Sequence, residues 1–178
     1  MKNKILIIFS HSDFAESRVN KAMLAKIADL SGVTIHVLEE HAPNFQFDIT
    51  KEQALLIEHD VIVLQFPMYW YSCPALMKHW IDEVWNRGFA YGGGNHKLEG
   101  KTLVCATSAG GTKEDFLAGG FYGFSVEEFF RPFEISAKFC KMNYDRPLVV
   151  YNALDLSDED LEAHAKRYRA WLQNYSSI

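Results

Sequence analysis

Val61-Ile62-Val63-Leu64-Gln65-Phe66 runs into Pro67-Met68-Tyr69-Trp70-Tyr71-Ser72-Cys73-Pro74, and that loop into the segment from Ala75 to Asn86. The first piece is short, apolar and rich in β-branched residues, and predicts a strand over Val61–Phe66. The last places Leu76 or Met77, Trp80, Ile81 and Val84 at helical spacing, with Pro74 suited to its first turn and Gly88 to its end. Three aromatic side chains therefore crowd one strand-to-helix connection. Such a connection sits at the carboxyl edge of a sheet, where open α/β folds bind ligands. A planar heteroaromatic ligand stacks well on aromatic faces in a cleft of that kind. Core packing is the alternative use of large side chains, and crowding on a polar-edged loop weighs against it.

Outward from this stretch the same alternation repeats. Lys4 to Phe9 is a continuous apolar run, as a strand buried on both faces reads. Val19, Met23, Ile27 and Leu30 recur at helical spacing, and Gly32 stops that helix. Val33 to Val37 predicts a second strand. Thr50 and Gln53 suit a capping box for a short helix ending near His59. Leu103 to Cys105 and Leu148 to Tyr151 predict a fourth and a fifth strand. Leu161, Ala165, Tyr168 and Leu172 mark a last helix opened by Ser157. The long segment Gly110 to Asp145 breaks the rhythm, with glycine-rich loops and one helix expected from Ser125 to Met142, Pro132 at a kink or in its first turn. Strands alternating with helices predict a parallel sheet covered on both faces. With right-handed crossovers and five strands this is a flavodoxin-like three-layer α/β/α sandwich in the order 2-1-3-4-5, one domain over residues 1–178.

Composition narrows the function. The chain has 178 residues, 48% of them hydrophobic, and a formal net charge of -5, which argues against nucleic-acid binding. It holds no apolar run of the roughly 20 residues that a membrane span needs, and its first residues lead straight into a strand rather than a signal peptide. Cys73, Cys105 and Cys140 are far apart, form no CxxC pair, and suit a reducing cytosol. Cys105 and Cys140 read as small buried apolar residues, and Cys73 as a cap of the next helix rather than an activated thiol. His36, His41, His59, His79, His96 and His164 show no metal spacing.

In a parallel sheet the loops after strands one, three and four emerge on one edge. The first, Ser10 to Asn20, ends at a helix N-terminus, which favours an anion, and His11, Ser17, Arg18 and Asn20 add donors suited to a phosphate monoester. Neither a P-loop nor a G-x-G-x-x-G fingerprint is present. An ordinary loop with Ser17 as N-cap stays open as the alternative. The second is the aromatic loop. The third is Thr107-Ser108-Ala109-Gly110-Gly111-Thr112, whose glycines let backbone approach a ligand. A phosphate seat, an aromatic platform and a glycine-rich wall match the parts of flavin mononucleotide.

Phe66 to Val84, Gly88-Phe89-Ala90-Tyr91-Gly92, Ser17-Arg18-Val19-Asn20, Ser108-Ala109-Gly110-Gly111 and Glu128-Phe129-Phe130-Arg131-Pro132-Phe133-Glu134 carry a resemblance over nearly the whole chain. It resembles the NAD(P)H:quinone oxidoreductase family with the flavodoxin-like fold. That family includes the mammalian quinone reductase, bacterial quinone reductases called general stress proteins, and ancillary flavoproteins of glutathione-gated potassium efflux systems. The resemblance implies that His11, Ser17, Arg18 and Asn20 hold the flavin phosphate. It implies that Pro67, Met68, Tyr69, Trp70 and Tyr71 contact the ribityl chain and ring system, and that Ser108, Gly110 and Gly111 border the ring. It implies two-electron, ping-pong hydride transfer from NAD(P)H through flavin to quinones or similar acceptors. Backbone N–H groups near Gly110 and Gly111 would stabilise charge on the reduced ring. The mammalian enzyme holds the adenine end of FAD with a longer tail, so FMN is expected rather than FAD. The family often has Tyr where Phe116 stands and His where Tyr122 stands. Phe116 donates no proton, and Tyr122, the candidate catalytic residue, is with its ordinary pKa of about 10 a weaker acid than His. Family members are usually dimers, and Trp85, Phe89, Tyr91, Phe121, Phe124, Phe129 and Phe130 are more aromatics than one small core readily hides. The expected setting is the cytoplasm, or the inner face of the membrane beside a potassium efflux transporter.

Overall fold

The computed structural model describes residues 3–42, 44–94 and 96–176; the first two and last two residues of the domain expected over 1–178 lie outside these. Along the chain come β1 (Ile5–Phe9), α1 (Val19–Ile27), β2 (Val33–Val37), α2 (Leu38–His41), α3 (Ile49–Glu58), β3 (Val61–Pro67) and α4 (Ala75–Val84). Then follow β4 (Thr102–Ser108), α5 (Val126–Phe129), α6 (Arg131–Phe139), β5 (Asn143–Tyr144), β6 (Leu148–Val150) and α7 (Asp158–Ser176). The sheet runs β2-β1-β3-β4, every pairing parallel, and both β5 and β6 pair with β4.

Alternation along the buried strands sorts side chains into two cores. Ile5, Ile7, Phe9, Val61 and Val63 face α1 and α7 and pack with Met23, Ile27, Tyr168 and Leu172. Leu6, Ile8, Ile62, Leu64 and Phe66 face the other way, onto Met77, Trp80, Phe133 and Ala137 of α4 and α6. This is the flavodoxin-like sandwich expected from the sequence, with strand register carrying the loops after β1, β3 and β4 to one edge.

Several local expectations change. The fifth sheet position is filled by two short strands rather than one, because β5 pairs the start of β4 at Thr102 and Leu103 while β6 pairs its end at Ala106 to Ser108. The helix expected from Ser125 to Met142 is two. Ser125 and Glu128 form a capping box that opens α5, and Pro132 lies in the first turn of α6 after a break at Phe130. The cap of α3 is Asp48, whose side chain accepts from the Lys51 N–H at 3.2 Å, not Thr50. Gln53 instead reaches the Val84 carbonyl and Asn86 across α4. The first helix ends at Ile27, so Leu30 packs from the following turn. Cys73 lies one residue before the Pro74 cap of α4 and is buried, and burial pushes its thiol up; Cys105 and Cys140 are buried and pushed up likewise. Of the surplus aromatics, Trp85, Phe89 and Phe130 enter the core, while Phe121 and Phe124 stay exposed.

Candidate functional site

The β1 loop is set by a carboxylate. Glu39, in the first turn of α2, accepts through Oε1 from the Ser10 hydroxyl at 2.7 Å and from the His11 N–H at 2.9 Å. His11 Nδ1 accepts from the Asp13 N–H at 3.1 Å and stands 3.5 Å from the Tyr69 hydroxyl. Burial holds the imidazole below its ordinary value against the nearby Asp13 and Glu39 charges. It is therefore neutral at pH 7, and Nε2 carries the proton it can donate. Ser17 Oγ, just ahead of the Arg18 cap of α1, accepts from the Asn20 N–H in the helix's first turn at 3.3 Å. Arg18 donates to the Leu156 carbonyl at 3.0 Å and to Asp158 at 2.6 Å. That pair is open to solvent, with side chains 47% and 97% exposed, so an anion arriving at Arg18 displaces a partner of little worth.

Asn20 lies deeper than the other three. Its Nδ2 donates to Ser108 Oγ at 3.2 Å and its Oδ1 accepts from Gln65 at 3.3 Å; Gln65 in turn accepts from the Tyr168 hydroxyl at 2.8 Å. This buried chain of hydrogen bonds ties α7, β3, α1 and β4 together beneath the site, and fully satisfied networks of this sort fix one geometry. Asn20 thus positions Ser108.

The aromatic loop is a tight turn. Tyr69 and Ser72 exchange both backbone hydrogen bonds at 3.0 Å, and the two central residues, Trp70 and Tyr71, have φ of 48° and 62°. That is the signature of a type I′ turn, which glycine and asparagine favour. Here it lifts Trp70 into solvent, 93% exposed, and turns Tyr71 back onto Phe129 and Tyr122 at ring distances of 5.0 and 5.5 Å.

Two adjoining clefts result. One, of about 430 Å³, is lined by His11, Ser17, Arg18, Pro67, Met68, Tyr69, Ser108 and Gly110, and also by Asp13 and Glu16. The other, of about 380 Å³, is lined by Trp70, Tyr71, Gly111, Phe116 and Tyr122. They share Met68, Gly110 and Leu154. The structure therefore gathers every expected site residue except Asn20 on one continuous wall. The Tyr122 ring packs close over Gly111, since a Cβ there would stand 2.9 Å from the ring and 3.1 Å from its hydroxyl, and the ring would have to shift to admit it. Glu39, Leu154 and the Gln65–Tyr168 link were not expected from the sequence. The one available signal was Gln65, a lone amide inside an apolar strand.

The model of the family described as "Flavodoxin-like fold" matches residues 3–172. The chain belongs to this flavodoxin-like family. Among its relatives, the glutathione-regulated potassium-efflux system ancillary protein KefG of Cronobacter sakazakii is 41% identical over 95% of this chain and 92% of its own. Three solved flavodoxin-like structures are also similar. General stress protein 14 of Treponema denticola, in complex with FMN, has a TM-score of 0.91 and 36% identity, over 97% of this chain and 99% of that one. A protein of P. pentosaceus described as NADPH-quinone reductase has a TM-score of 0.86 and 37% identity, over 94% and 96%. A structure described as a thermophilic tryptophan halogenase from Streptomycin violaceusniger has a TM-score of 0.92 and 38% identity, over 94% and 97%. Neighbours of one flavodoxin-like fold thus carry names for different reactions, so the reaction must be argued from the site.

Proposed function

We propose that this protein is an FMN-dependent NAD(P)H:quinone oxidoreductase. The observation that carries the reading is the continuous cleft with a donor-rich end at a helix N-terminus and an aromatic and glycine-lined end, the two needs of a phosphate and a flat ring. The FMN bound by the Treponema denticola relative and the name of the P. pentosaceus one support it. When bound, FMN would take a hydride from NAD(P)H and pass two electrons to a quinone or similar electrophilic acceptor.

The chain's own residues would do the rest. His11, Ser17 and Arg18 hold the phosphate, with the first turn of α1 behind them. Pro67, Met68, Tyr69, Trp70 and Tyr71 line the ribityl chain and ring, and Ser108, Gly110 and Gly111 press backbone against its polar edge. Tyr122, whose hydroxyl stands over Gly111, donates a hydrogen bond there; it is the catalytic residue of this account. Trp70, Phe121 and Phe124 are exposed beside this end and Leu154 lines it, and a second copy of the chain covers them in a homodimer.

Initial rates test the reading. With FMN added, double-reciprocal plots against NAD(P)H at several quinone concentrations should be parallel, since donor and acceptor use one place in turn. Intersecting lines, or no turnover, would contradict it.

The relationship to KefG favours a second reading, a regulatory flavoprotein subunit of a potassium efflux system. No helix among the described residues is long and apolar enough to cross a membrane, so membrane placement would come from the transporter, at its cytoplasmic face. Co-purification with such a transporter, without NAD(P)H oxidation, would favour this reading over the enzyme.

A further inference from the structure

A cleft of about 570 Å³ belongs to neither half of the proposed flavin site. It opens beside β6, between that strand, α7 and the loops before α5, and Lys113, Arg146 and Arg167 stand around it. Arg167 donates to the Val149 carbonyl of β6 at 2.8 Å, a neutral partner that leaves its charge uncompensated. Lys113 and Arg146 have no carboxylate partner among the described residues. Glu127 is the one carboxylate in the lining. Three cations against one carboxylate is the reverse of the chain as a whole, whose net charge is -5, and a concave basic surface concentrates anions.

The floor is not basic. Leu148 and Val149 are buried, and the half-buried rings of Tyr151 and Trp171 flank them. His164 joins the lining; burial and the Arg167 charge outweigh the opposing Asp160 charge and hold it below its ordinary value. It is neutral until an anion arrives to favour its proton. The cleft also backs onto the flavin wall, since the Tyr151 ring lies 5.6 Å from Phe116 and Phe116 lies 4.5 Å from Tyr122.

We propose that this cleft is a second ligand site, for a nucleoside phosphate. The phosphate groups meet Lys113, Arg146 and Arg167, and the base lies on the apolar floor against an aromatic ring. A cation rim alone would take any anion; a flat apolar floor under it selects one that carries an aromatic group. The site stands whether or not the flavin reading holds.

The test is calorimetric titration of the full chain with ADP, with adenosine as the uncharged control. It is run on FMN-saturated protein, and on protein without FMN should the flavin fail to bind. ADP should bind, adenosine should bind about tenfold more weakly, and the Lys113→Glu, Arg146→Glu double variant should lose at least about tenfold of ADP affinity. Both side chains are exposed and make no ion pair among the described residues, and FMN affinity, measured separately, should be unchanged. The source of the phosphate is read from the same variant. A rise in KM for NADPH but not NADH identifies the donor's own phosphate, and unchanged KM values with lost ADP binding identify a separate nucleotide; both support the site. No ADP binding, or binding that the double variant leaves intact, overturns it.

Discussion

Trp70 and Tyr71, adjacent at the tip of the β3–α4 loop, both take left-handed backbone conformations, with φ of 48° and 62°. Bulky residues rarely hold such angles, and strain of this kind clusters at functional sites. The turn is kept by the paired hydrogen bonds between Tyr69 and Ser72 and by the packing of Tyr71 on Phe129. Stability is given up here for an aromatic surface.

Trp70→Asn should therefore make the protein more stable, by about 1 kcal/mol, because asparagine accepts this conformation and the exposed indole loses little burial. The same variant should bind FMN several-fold more weakly, for want of a stacking face. Thermal denaturation and flavin titration measure the two effects. A variant that is less stable would contradict the assignment of strain.

Gly120→Ala should loosen the glycine-rich wall from behind. A Cβ there would stand 2.0 Å from the Glu114 carbonyl and 2.7 Å from that of Asp115, which accepts from the Tyr122 N–H at 3.0 Å. Overpacking against backbone should cost up to about 3 kcal/mol and displace Tyr122. Lower thermal stability together with weaker FMN binding is expected; wild-type values for both would show that the loop yields freely.

Glu39→Ala removes the acceptor shared by Ser10 and His11. Leaving these donors unsatisfied should cost about 1–3 kcal/mol, and the freed β1 loop should weaken FMN binding. Glu39→Gln keeps an acceptor oxygen and should restore much of both. Equal losses in the two variants would mean that the charge, rather than the geometry, matters.

Buried Glu52 gives the fold a pH dependence. It accepts from Trp80 Nε1 at 2.8 Å and pairs with His36 Nε2 at 2.9 Å, whose ring stacks on His41 at 4.1 Å. Burial alone would raise its carboxyl, but the hydrogen bonds from His36 and Trp80 and the charges of His36 and His41 outweigh it and hold the group below its ordinary 4.5. A depressed carboxylate stabilises the fold above its unfolded pKa and ceases to as pH falls through the folded one. Glu52→Gln should cost about 3 kcal/mol at pH 7, and the gap to wild type should close in acid below 4.5. A gap independent of pH in chemical denaturation would contradict this.

The strands were legible because doubly covered parallel strands are written as unbroken apolar runs, Ile5 to Phe9 and Val61 to Phe66 among them. The meeting of the three loops was legible because parallel strand register carries them to one edge. What escaped is what residue type does not encode. Asp48 and Thr50 were both able to cap α3, and only the fold chooses Asp48. Asn20 reads as a phosphate donor by position, yet its side chain turns inward to Ser108 and Gln65. Glu39 acts across 28 residues on the His11 N–H, and its own short helix gives no sign of it. Nothing in Trp-Tyr suggests a left-handed turn.

The central claim is that this cleft holds FMN for reduction by a nicotinamide. The direct measurement is the visible spectrum of the purified chain with FMN, followed anaerobically by one equivalent of NADPH or NADH. The account predicts a bound-flavin spectrum that bleaches fully in a single two-electron step. Free FMN after desalting, or bound flavin that neither nicotinamide reduces, would contradict it.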